Sequence, residues 1–88
     1  MLEKIKLALR ITTTSFNTEI QTLIDAALAE MTGLGIEGAT STTTDDQIIT
    51  AVIAYCKWQF GAAPDAERWE KIYHTKLAQL QTMTGYGL

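Results

Sequence analysis

The stretch DDQIITAVIAYCKWQFG, residues 45–61, limits the folds open to this chain more than any other. Thr44-Asp45-Asp46-Gln47 has a capping-box pattern with acids in the first turn, which predicts a helix starting there. On a wheel at 100° per residue, Ile48, Ile49, Ala51, Val52, Ile53, Tyr55, Cys56, Trp58 and Phe60 cover an arc of roughly 220°. Asp46, Thr50, Ala54 and Lys57 fill the narrow stripe opposite. A helix lying on a surface needs a wide wet face, and this one has none. It is expected to be the central helix, packed on several sides by its own chain, by other copies, or by both.

The remaining segments read as shorter or more one-sided helices. Leu2, Ile5 and Leu9 fall at helical spacing and predict an amphipathic helix over about 2–10. The run Thr12-Thr13-Thr14-Ser15 interrupts it, and Ser15 or a neighbouring threonine is expected to cap a second helix over about 16–32. Phe16, Ile20, Leu23, Ile24, Ala27, Leu28 and Met31 form its apolar stripe, and Gly33 is expected to end it. The central helix then spans about 45–60. Gly61 stops it and Pro64 blocks its continuation. Pro64-Asp65 suits the first turn of a fourth helix over about 65–83. Ala66, Trp69, Ile72, Tyr73, Leu77, Leu80 and Met83 make a stripe roughly 140° wide on it. Residues 84–88 are too glycine-rich to extend it and read as a flexible tail. No strand-like alternation and no internal repeat appears, so residues 1–88 read as a single all-α domain, a small bundle of four helices.

Both tryptophans, the one cysteine and two of the three tyrosines lie within residues 55–73. An active site or a helix–helix seam would concentrate them so. The turn at Gly61 to Pro64 folds the third helix against the fourth. Ile48, Val52, Tyr55 and Cys56 would then meet Trp69, Ile72 and Tyr73 in a core seam. Catalysis is the weaker reading. Cys56 lies well inside the apolar arc, where burial raises a thiol's pKa and quenches it. His74 falls beyond the edge of the fourth helix's stripe, beside Glu70 at i, i+4, and reads as solvated. One His and one Cys cannot complete a zinc site, and capping explains Asp45-Asp46 without a bound cation. No catalytic, cofactor-binding or metal-binding residue is assigned, and no enzyme is expected.

Gly33-Leu34-Gly35-Ile36-Glu37-Gly38 matches G-x-G-x-x-G letter for letter. A dinucleotide site needs a strand before that motif and a helix starting within it. Here the glycines follow a helix, so they mark a loop, residues 33–44, long for a small bundle. Made mostly of Gly, Ser, Thr and Ala, it is expected to need a partner to order it.

Ten acids against seven bases leave a net charge of −3, and the bases are dispersed. Duplex binding draws most of its affinity from phosphate neutralisation, so a tight DNA grip is not expected. Charges at positions 3, 4, 6 and 10 leave no uncharged apolar stretch near the start for a signal peptide or membrane span. With a single cysteine, that reads as a soluble protein of a reducing cytoplasm.

LALRIT (Leu7 to Thr12), AVIAYCKWQFG (Ala51 to Gly61) and PDAERWEKIY (Pro64 to Tyr73) resemble the small head–tail connector proteins of tailed bacteriophages and prophages, often labelled DNA-packaging proteins. The likeness runs from Leu2 to about Leu80. It implies a structural virion protein that forms a homo-oligomeric ring beneath the portal protein and extends the DNA channel. Such a ring meets the next neck or tail protein and lets DNA pass without specific binding. It also implies a place in the virion neck, reached by assembly in the bacterial host cytoplasm. Leu34, Ile36, Trp58, Tyr86 and Leu88 are the candidate oligomer or partner contacts. The alternative class is a small helical DNA-binding or protein-interaction regulator of phage origin. It would need a recognition helix with clustered bases, whereas Arg68, Lys71 and Lys76 alternate with Asp65, Glu67 and Glu70.

Overall fold

The computed structural model describes residues 1–60 and 65–82. Four helices follow in order: α1 (Leu2–Leu9), α2 (Asn17–Gly33), α3 (Asp46–Phe60) and α4 (Ala66–Thr82). There is no strand among the described residues, and the long loop joins α2 to α3. The fold is an all-α bundle. The expected turn at Gly61 to Pro64, Met83 and the tail 84–88 lie outside the described residues.

Burial of α3 organises the bundle. It touches α1, α2 and α4, most extensively α4. Ile5 of α1, Ile20, Ile24 and Met31 of α2, and Tyr73, Leu77 and Leu80 of α4 share one core with Ile48, Ala51, Val52 and Cys56 of α3. Each such large side chain contributes about 1.5–3 kcal/mol by leaving water. The chain itself therefore covers its central helix on three sides. One assignment changes: Ala54, expected in the polar stripe, is only 1 % exposed. Its small side chain lets a neighbouring element approach, whereas Thr50 on the same stripe stays exposed.

Helix ends depart from expectation in two places. Ser15 and its threonine neighbours do not cap α2; the cap position is Phe16, with no side-chain capping bond. The hydroxyls bond locally instead. Ser15 N–H donates to Thr13 Oγ1 at 3.2 Å, and the two side-chain oxygens lie 3.0 Å apart. Such short-range bonds compete with capping. Phe16 instead meets Phe60 of α3 edge-on, with centroids 5.4 Å apart.

At the other end of α2, Gly33 remains helical and Gly35 makes the turn, with φ 82°. Ile36 N–H donates to the Met31 carbonyl at 3.0 Å and Gly35 N–H to that of Thr32 at 3.1 Å. These are the paired bonds of a Schellman motif, and its usual apolar contact is available because Met31 and Ile36 are both buried. The G-x-G-x-x-G letters thus close a helix rather than open one.

The loop beyond is held by its own chain, correcting the expectation that a partner must order it. Ile36 is 2 % and Ala39 7 % exposed, both within the core. Gln81 of α4 donates to the Leu34 carbonyl at 3.3 Å. At the loop's end Asp45 caps α3, its Oδ1 accepting from Gln47 N–H at 2.8 Å, while Asp45 N–H donates to Thr43 Oγ1 at 3.1 Å.

The two glycines should respond oppositely to alanine. A Cβ at Gly33 meets nothing within 4 Å, so Gly33→Ala should stabilise by about 0.5–1 kcal/mol, the usual helix preference. Gly35→Ala forces a side chain into the left-handed region and should destabilise by about 1 kcal/mol or more. Urea denaturation of the two variants reads both signs.

Candidate interaction surfaces and the aromatic seam

The structure brings the aromatic residues of α3 and α4 together. Tyr55 and Tyr73 meet edge-on with centroids 5.0 Å apart, Tyr55 and Trp58 at 5.7 Å, and Trp58 and Tyr73 at 6.1 Å. Ile48, Val52, Cys56 and Tyr73 are buried; Tyr55, Trp69 and Ile72 are half-buried and pack against the same core. Lys57 Nζ sits 4.5 Å from the Trp69 ring centre, so the one base of α3 is spent over an aromatic face.

A polar bond pins the seam to α2. Tyr73 Oη donates to Glu30 Oε1 at 2.5 Å. Burial first, and then the bond and charge of Glu30, push the Tyr73 phenol well above its ordinary range. Tyr55 is raised for similar reasons, burial leading. Lys76 of α4 donates to Gln47 Oε1 of α3, a polar tie between the two seam helices.

Cys56 is fully enclosed, and burial pushes its thiol up to about 12. A protonated thiol at neutral pH is a poor nucleophile. His74 lies on the wet side, its Nε2 3.9 Å from Glu70 Oε2, with its ring 5.7 Å from that of Trp58. No group of three or more metal-ligating side chains exists among the described residues, and none of their helices is long and apolar enough to cross a membrane.

What the surface offers is contact. Leu34 is 42 % exposed and Trp58 half-buried, whereas Ile36 fills the chain's own core. Tyr86 and Leu88 lie outside the described residues. Two exposed apolar residues, Leu7 and Phe16, were not among the sequence candidates. Leu7 was findable, since it falls on the side of the α1 wheel opposite Leu2, Ile5 and Leu9. Phe16 was hidden by its helical spacing with the α2 stripe.

The family model described as Phage connector protein matches residues 1–87. The chain belongs to that family, whose role is structural. No curated protein and no solved structure matched it.

The buried thiol and phenols predict sensitivity to alkali. Each keeps its proton in the folded state above the pH at which the unfolded chain loses it. Their stabilisation is whole below the ordinary thiol range near pH 8.5 and declines as pH rises, for Cys56 until about 12. Urea midpoints measured from pH 8 to 11 should fall steadily, and less steeply for Cys56→Ala. At neutral pH native Cys56 should label slowly with a thiol reagent, and rapidly once unfolded.

Proposed function

We propose that this connector protein is the subunit of a closed ring that sits beneath the portal in the virion neck. The ring extends the DNA channel and presents a surface to the next neck or tail protein, having assembled in the host cytoplasm. The connector-family match over residues 1–87 carries the reading. The exposed apolar side chains support it, because Leu7, Phe16 and Leu34 lie outside the chain's own core. Closing a ring takes two different patches meeting head to tail. Of the contacts proposed from sequence, Leu34 and Trp58 are the described ones with surface left to give a partner; Tyr55, Trp69 and Ile72 serve the seam within the subunit.

Passage of DNA without capture fits the charge. The chain is acidic overall, and Lys57 and Lys76 are already engaged with Trp69 and Gln47. Salt-titrated binding to duplex DNA at physiological ionic strength should be weak and independent of sequence. A tight, site-specific complex would move the protein to the regulator class.

Mixed with portal protein from its own phage, the chain should join it as a complex of several copies by light scattering. Amide exchange near Leu34 should slow in the complex. Absence of any complex at micromolar concentration would sink the ring reading.

A further inference from the structure

Charge on the first two helices is sorted: α1 with its cap is mainly basic and α2 is acidic. α1 exposes Lys4 and Arg10, with Glu3 beside them, while Lys6 is buried. α2 carries Glu19, Asp25 and Glu30 and no base. Lys4, Arg10 and Glu19 form no ion pair among the described residues. Asp25 accepts from Gln21 of its own helix at 3.0 Å. The two sets of opposite charge therefore do not satisfy each other within the subunit.

The basic face also carries the most exposed large apolar side chain described. Leu7 is 78 % exposed and points away from the core formed around Ile5. Next to it, Arg10 ends α1 at φ 60°, its N–H bonded to the Leu7 carbonyl and Ile11 N–H to that of Lys6. Glycine would take that left-handed position with less strain. The arginine contributes nothing visible to the fold in return, which is what a side chain kept for an outside contact would look like.

The acidic face has a seat of suitable shape. Leu2, Asn17, Thr18, Gln21, Thr22 and Asp25 line a shallow depression of about 340 Å³. Asn17 Oδ1 is enclosed there with no hydrogen-bond partner. Along the rest of the outer face, Thr22, Ala26 and Ala29 are small and exposed, so a second helix could approach closely.

We propose that the occupant of this seat is a second copy of the chain. The α1 outer face of one copy docks on the α2 outer face of the next, with Leu7 entering the depression beside Thr22. Lys4 and Arg10 then face the acids of α2. Charge complementarity selects the partner, and desolvated Leu7 anchors it. With a single α1-on-α2 contact at each junction, the copies join head to tail and the contact repeats from copy to copy. This assignment rests on the ring reading and names its interface.

The test compares assembly on portal protein for the wild-type chain and for Leu7→Glu/Arg10→Glu, whose changed positions are exposed and whose fold is checked by circular dichroism. Assembly of the variant should weaken roughly tenfold or more, and the milder Leu7→Gln should weaken it less. In a second arm, Leu7→Cys/Thr22→Cys is treated with a short bis-maleimide, buried Cys56 being left in place. A ladder of linked copies should appear, and neither single cysteine variant should give it. Undiminished assembly of Leu7→Glu/Arg10→Glu, a missing ladder, or a ladder from one cysteine alone overturns the interface and leaves the ring reading intact. Failure of the wild-type chain itself to assemble removes the ring reading, and this interface with it.

Discussion

Everything in this molecule depends on covering α3. Its apolar arc is too wide for one neighbour, so the chain must wrap it, and α1, α2 and α4 each contact it. Each covering helix then has an inner face committed to the core and an outer face left over. On α1 and at the two ends of α2, the outer surface carries the exposed apolar side chains Leu7, Phe16 and Leu34. A helix that exhausts its own chain's apolar faces also frees the subunit from needing partners to fold.

The long loop follows from the same demand. Gly35 and Gly38 bend the chain at positive φ, and the bends drop Ile36 and Ala39 into the core beside α3. Local bonds then carry the chain to the Asp45 cap. What composition presents as a slack linker is a folded connection with two anchors, and Leu34 is the large apolar side chain it leaves outward. The loop thus holds Leu34 at the end of α2 through the chain's own bonds.

The seam concentrates a thiol, two phenols and two indoles, and their packing raises the pKa of the thiol and of both phenols. Tyr73 gives its hydroxyl hydrogen to Glu30, fastening α4 to α2. Core packing and this bond make the seam a join among α2, α3 and α4. This is the sense in which the crowding of aromatic residues is mechanical.

Helix number and type, the location of the long loop and the connector family were legible in the residues, because apolar spacing reports helical faces and the three quoted segments report kinship. The α3 start was legible too, since Asp45 caps through its own neighbour, Gln47. The rest required the fold. Whether Ser15 or Phe16 starts α2 depends on which bonds the hydroxyls find and on Phe60 arriving from α3. Whether Ile36 faces a partner or the core depends on a turn at Gly35 that composition alone does not distinguish from one at Gly33. Ala54 looked polar-sided on a wheel and became buried once neighbours closed around α3. A sequence ranks faces by hydropathy, but it does not say which of them another part of the chain will reach; that was decided by packing, and it left Leu7, Phe16 and Leu34 outside.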